Sequence, residues 1–240
     1  MAAPRTDQAI ATIKDLIVSG EFGAGAKLPP EQELAGRLGL SRNSLREAVR
    51  ALSLVGVLEP RVGDGTYVTS LEPELLLTGI AFVGDLMAGA TLLELHEVRR
   101  ILEPAATGLA ASRLTDDDFG ALEGCLRRMD DAETTEAFID ADLEFHRIIV
   151  NAAGNATLAS LIQNLSGRTM HARLWHSISE RGAVAEARER HRHIYTALRA
   201  RDAELASAAD LIHLADRERW LRQVIDEGAA ANGNDKEDTT

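Results

Sequence analysis

Two short helix-forming runs joined by a tight turn, with a glycine-framed hairpin behind them, constrain this chain most. The first run is Leu28-Pro-Pro-Glu-Gln-Glu-Leu-Ala, the second Leu40-Ser-Arg-Asn-Ser-Leu-Arg-Glu-Ala, and the hairpin is centred on Gly63-Asp64-Gly65. Pro29 and Pro30 suit the start of a helix, where a missing N–H costs nothing. Gly39 suits the left-handed residue just past a helix end. Ser41 suits an N-cap. Leu45, Ala48, Val49 and Leu52 then recur at helical spacing as an apolar stripe. Leu58-Glu-Pro-Arg and Thr66-Tyr-Val-Thr read as short strands, with Pro60 marking an edge strand. An earlier helix is expected over Asp7–Ser19, with Ile10, Ile13, Leu16 and Ile17 inward and Gly20 as its stop. This order predicts a winged helix-turn-helix, whose second motif helix enters the major groove of DNA.

The polar face of that helix carries the chemistry expected of a DNA reader. Arg42, Arg46 and Arg50 are four apart and share one face, beside Asn43. Arginine bonds a guanine edge bidentately, and asparagine an adenine edge. Ser41 and Ser44 can hold phosphate with the helix N-terminus. Gly65 allows close backbone approach at the wing, where Asp64 opposes phosphate contact. A plain helical hairpin with solvated arginines shares the two helices, but not the ordered set of turn glycine, cap, arginine face and glycine-rich hairpin.

Charge separates the chain into two parts. The net charge is −12, yet residues 1–70 hold eight basic and eight acidic side chains. All the excess negative charge therefore lies downstream, on a part that should avoid phosphate. Aromatic residues are only 4%, and Ala and Leu carry the apolar content, which favours helix. The expected architecture is mainly α. It comprises a winged helix-turn-helix over residues 1–70, a linker and first bundle helix over 71–91, an all-α bundle over 92–227 and a disordered tail over 228–240. The single cysteine, Cys125, excludes an internal disulfide and reads as a small packing residue. No apolar run is long enough to span a membrane, and Met1–Arg5 has no signal-like apolar region, so a cytoplasmic location is expected.

Asp142 and His146 lie four apart in a strong helical pattern, so a carboxylate and an imidazole project from one face. Such a pair can chelate a metal ion. Seven histidines make accidental clusters easy, and a lone helical histidine is ordinarily just a satisfied polar residue. His191 and His193 point about 160° apart on a helix, and periodicity does not choose between them.

Residues 28–68 resemble the winged helix of the GntR family of bacterial transcription factors, through the three segments quoted above. Gln32 stands where that family usually has a basic residue that helps read DNA, and it can still hydrogen-bond; Asn43-Ser44 stand where Thr or Pro is usual, which implies a different base preference. Residues 92–226 resemble the helical effector domain, called FCD, of the FadR subfamily. The matching segments are Leu93-Glu-Leu-His-Glu-Val-Arg-Arg-Ile-Leu-Glu-Pro, then Asp142-Leu-Glu-Phe-His146 with Ala153-Gly-Asn155, then His191-Arg-His-Ile-Tyr, and His213 further on. Arg201 replaces a glycine often found at a helix cap.

The resemblance implies that Asp142, His146, His191 and His213 hold a divalent ion. Zinc is the first choice, with nickel and manganese as alternatives. It further implies a small organic acid as effector, with Arg99, Asn155 and Arg173 as its candidate contacts and Trp175 as a weaker one. The expected partners are a pseudo-palindromic double-stranded DNA operator and a second copy of the chain, with no membrane. Gln32, Ser41, Arg42, Asn43, Ser44, Arg46, Arg50 and Gly65 are the expected DNA contacts. The expected function is a ligand-responsive regulator, with repression the commoner sign in the family. A regulator that senses the metal itself and a zinc-dependent hydrolase are the alternatives, the latter lacking an evident general base.

Overall fold

A computed structural model describes residues 5–77, 90–166 and 184–234. The chain divides into two compact units, residues 1–79 and 80–240.

The first unit contains α1 (Arg5–Val18), α2 (Glu31–Leu38), α3 (Arg42–Leu54), β1 (Leu58–Arg61), β2 (Gly65–Val68) and a single turn, α4 (Pro73–Leu76). Pro30 is the N-cap of α2, so the helix starts one residue after the proline pair, with Glu31 and Glu33 against its positive end. Gly39 closes α2 at φ +64°, and its N–H bonds the last carbonyls. The Ser41 side chain accepts the Ser44 N–H and caps α3. Leu45, Ala48, Val49 and Leu52 are buried with Ala9, Ile13, Leu34 and Leu58, so the apolar stripe of α3 faces this core.

The two strands pair antiparallel in the register Leu58↔Val68 and Arg61↔Gly65. A third chain segment borders them. Leu28 donates to Thr66 O at 2.8 Å and Val68 to Ala26 O at 2.8 Å. The hairpin is thereby pinned to the segment before α2, a pairing that the local pattern does not show. The expected boundary at residue 70 falls later. The backbone of Leu75 lies against Gly56, where an added Cβ would come 2.4 Å from the Leu75 carbonyl oxygen, so α4 packs onto the first unit.

The second unit contains α5 (Ala90–Ala111), α6 (Asp116–Asp130), α7 (Thr135–Ala152), α8 (Ala156–Leu165), α9 (Val184–Arg199) and α10 (Ala203–Asn234). No strand occurs in it among the described residues. Thr115 and Asp118 form a reciprocal capping box on α6, and Thr134 caps α7. The apolar core gathers Phe119, Leu122, Met129, Phe145, Ile149, Ile194 and Leu198, with Cys125 among them.

One local feature differs from expectation, and a second shows how an expected cap is built. Helix α10 continues through residues 228–234, where a disordered tail was expected. Ala229, Ala230 and Ala231 are strong helix formers and extend the preceding helix past Gly228. Arg201 occupies a left-handed conformation at φ +58°. Its guanidinium donates to Ala111 O at 3.0 Å and Leu114 O at 2.6 Å and lies over the Phe119 ring, which offsets the backbone strain.

Candidate nucleic-acid interface and metal centre

On α3 the residues off the apolar stripe are solvent-facing. Arg42, Asn43, Arg46 and Arg50 are exposed, as are Ser41 and, on α2, Gln32. Ser44 is not. It is buried, with its hydroxyl 2.8 Å from that of Ser41. Helical geometry turns the Ser44 side chain inward beside Leu45, where it pairs with the hydroxyl of Ser41, the residue that caps the helix.

Two of the exposed arginines are held by acids of the same unit. Arg46 donates to Glu31 Oε2 at 3.1 and 3.3 Å through two nitrogens. Arg50 donates to Glu47 at 2.9 Å. In the wing, Gly65 is exposed at φ +140° beside Lys27. Lys27 Nζ lies 2.7 Å from Asp64 Oδ1, and the Tyr67 hydroxyl donates to Asp64 Oδ2 at 2.7 Å. The Lys27 ammonium and the Tyr67 hydroxyl hold the Asp64 carboxyl below its usual range. Asp64 stays ionised, and the Lys27 ammonium offsets its charge at the wing tip. Lys27 was missed because its place beside the hairpin depends on the segment pairing described above. Arg61 stacks over Tyr67 at 4.2 Å.

In the second unit, α7 contributes Asp142 and His146, α9 contributes His191, and α10 contributes His213. One ligand atom from each lies within 4.8 Å of the others. His191, and not His193, is the buried member; His193 is exposed beside Glu189. The chain positions His191 closely. Its Nδ1 is 2.7 Å from Ala187 O, and its Nε2 is 2.7 Å from Asp142 Oδ1. Both ring nitrogens therefore face oxygen acceptors, and a neutral imidazole can donate to only one. A backbone carbonyl on Nδ1 leaves Nε2 as the ligand nitrogen, the arrangement common around metal-bound histidine.

His146 Nε2 and His213 Nε2 are buried with no hydrogen-bond partner among the described residues. Burial holds His146 down at about 3 and His213 well below its ordinary value, so both rings keep free lone pairs. Orphaned buried nitrogens facing a carboxylate fit a divalent cation: the ion would satisfy atoms that otherwise pay a desolvation cost.

Three charged residues extend this interior. Arg217 donates through Nη2 to Asp142 Oδ1 at 2.5 Å and Oδ2 at 2.6 Å. Glu103 accepts from Arg99 Nε at 2.7 Å, and both are buried. Asp210 accepts from Thr107 at 2.7 Å. Ligand atoms of Glu103, His146 and Asp210 also lie within 4.8 Å of one another. Arg99 is therefore an interior residue and not a surface helix arginine. Asn155 is exposed, and its side chain caps α8 by accepting Leu158 N–H at 3.1 Å. It stands apart from the buried cluster. Arg173 and Trp175 lie outside the described residues. Glu103, Asp210 and Arg217 were not singled out from sequence; the i, i+4 spacing of Arg99 and Glu103 was the one available signal.

An exposed cationic recognition helix with a wing, followed by a separate helical unit that buries a cluster of ionisable side chains, defines a DNA-binding regulator with an effector domain. Residues 5–68 match the bacterial regulatory proteins of the gntR family, and residues 94–216 match the FCD domain. The chain is 38% identical over 175 residues to an uncharacterised HTH-type transcriptional regulator of Mycobacterium tuberculosis, covering 70% of this chain and 71% of that protein. It is 31% identical to the HTH-type transcriptional regulator LutR of Bacillus subtilis, covering 88% and 99%. It is 27% identical to the galactonate operon transcriptional repressor of Escherichia coli, covering 93% and 100%. A solved structure of Streptococcus agalactiae GntR superposes with a TM-score of 0.65 at 31% identity, covering 89% of this chain and 99% of that one. The chain belongs to the GntR family of transcriptional regulators and carries an FCD effector domain. These families and relatives are regulators, not enzymes. Among the described residues no helix is long and apolar enough to cross a membrane.

Proposed function

We propose that this regulator is a cytoplasmic repressor whose FCD domain holds a divalent ion and a small carboxylate effector, and that it grips a pseudo-palindromic operator as a homodimer. The observation that carries the metal reading is the gathering of Asp142, His146, His191 and His213 with two buried imidazole nitrogens left without partners among the described residues. Three imidazoles and one carboxylate favour zinc, with nickel and manganese as alternatives. Bound there, the ion supplies a Lewis-acidic site for an anion, while the protein residues orient and enclose it.

Charge supports an anionic effector. Asp142 and Glu103 balance the guanidiniums of Arg99 and Arg217, and burial raises Asp210 to about 7, so near neutral pH Asp210 carries only part of a negative charge. A divalent ion makes the cluster net positive, and an anion offsets that charge. The Escherichia coli relative is the repressor of a galactonate operon, and galactonate is a carboxylate of this kind. Arg99 and Arg173, the latter outside the described residues, are the proposed carboxylate contacts; Asn155 enters this reading only as a family-signature residue. Exposed apolar side chains support self-association: Val98, Ile101 and Leu109 lie along one face of α5, with Leu205 and Ile212 on α10.

Effector binding changes operator affinity by a coupling of about 1–3 kcal/mol. The test uses the full chain and its operator. Elemental analysis of wild type should show bound metal, and His146→Ala with His191→Ala should abolish it. Full metal content in the double variant would overturn the assignment. Anisotropy titrations with zinc alone and with zinc plus galactonate then separate the two signals. Release from DNA by zinc alone favours the metal-sensing alternative.

A further inference from the structure

Arg217 occupies a position that a divalent ion would contest. Its Nη2 lies 2.5 and 2.6 Å from the two oxygens of Asp142, the one carboxylate of the metal-ligand set. Both side chains are almost wholly buried, at 2% and 0% exposure. His191 Nε2 shares Asp142 Oδ1 at 2.7 Å. A carboxylate so engaged offers little to a metal ion until the guanidinium withdraws.

The same interior provides somewhere for the guanidinium to go. Glu103 Oε2 and Asp210 Oδ1 are buried acceptors without a partner among the described residues. They belong to the triad that shares His146 with the metal-ligand set. The Arg217 charge already acts on both carboxyls. Two buried acceptors left unmade beside a long, rotatable donor are costly, and a guanidinium has enough donors to satisfy both.

We propose that Arg217 is an internal counter-ion with two positions: it neutralises Asp142 while the metal centre is empty, and it turns to Glu103 and Asp210 when a divalent ion takes Asp142. Arg217 thereby sets the metal affinity of the domain and links metal entry to a rearrangement of α10. This inference rests on the metal reading above, and it goes beyond it by assigning a competitor and a receiving site. The other buried guanidinium of the cluster, Arg99, is committed to Glu103 Oε1 and does not reach Asp142 among the described contacts.

The experiment is a zinc titration of metal-stripped full-length protein against a chromophoric chelator. Arg217→Met removes the competing charge, so zinc should bind roughly tenfold tighter or more than in wild type. Equal or weaker binding, with wild type still binding zinc, overturns the proposal and leaves the metal reading standing. If neither protein binds zinc, the metal reading fails and takes the proposal with it. Thermal melts add a readout that a purely structural arginine would not produce. The metal-free variant should melt lower than wild type, and zinc should restore more stability to it. Arg217→Gln serves if the methionine variant does not fold.

Asp210→Asn tests the receiving site with cobalt as probe. Zinc affinity should fall severalfold while the cobalt d–d spectrum keeps its shape, since Asp210 is not a ligand in this scheme. Unchanged affinity, or a changed spectrum, overturns the second position of Arg217.

Discussion

Arg46 of the recognition helix is forked onto Glu31 of the preceding helix, with two nitrogens 3.1 and 3.3 Å from one carboxylate oxygen. The pair spans the turn of the motif and holds the arginine extended from its helix before any DNA is present. A guanine edge must either replace Glu31 or share the arginine with it. Arg42→Ala and Arg46→Ala should each weaken specific operator binding by about 1–3 kcal/mol if each reads a base. Gel-shift titrations on specific and random duplexes check this, and two variants with unchanged affinity on both would remove these arginines from the interface.

The wing makes a different prediction. Lys27 and Asp64 pair across the hairpin on the exposed surface. Asp64→Asn should free Lys27 for phosphate and raise affinity for all duplexes alike, without changing base preference. Lys27→Ala should lower affinity for all duplexes and reduce the salt slope by about one. A change confined to one sequence would contradict a wing that contacts backbone only.

Acid should destabilise the metal-free FCD unit through its buried histidines. Burial, then the charge of Arg99, holds His96 at about 4, while its Nε2 stays 2.8 Å from Leu214 O. In the unfolded chain the same group titrates near 6.5. Between these values the unfolded state binds the extra proton, so stability falls as pH drops from about 6.5 to about 4. His146 and His213 act in the same direction. Asp210 opposes them: burial and then the charge of Glu103 push it up to about 7, so its contribution is lost as pH rises from about 4 to 7. The His96→Gln difference isolates one group. Urea melts in chelator should show wild type losing up to about 3 kcal/mol more than the variant across this window. Parallel curves would rule it out.

Arg201 tests how a strained cap is tolerated. Arg201→Ala keeps the left-handed strain and loses the bonds to Ala111 and Leu114, so it should cost about 1–2 kcal/mol. Arg201→Gly loses the same bonds but relieves the strain, and should melt between the alanine variant and wild type. A glycine variant less stable than the alanine variant would show that the backbone carries no strain there.

The local pattern was enough to specify the DNA-reading unit, because its determinants are short-range: a cap at Ser41, a left-handed Gly39, and an apolar stripe from Leu45 to Leu52. The same locality located Asp142 and His146, one helical turn apart. Tertiary packing decided the rest. It turned Ser44 inward, brought Lys27 to Asp64, set Asn155 on a helix cap outside the cluster, and chose His191 over His193 by burying one face of α9. It also brought Arg217, Glu103 and Asp210 into the buried cluster from two helices that meet only in the folded bundle. Charges separated by about a hundred residues leave no periodic trace in a sequence, so only the packed interior shows which of them face each other.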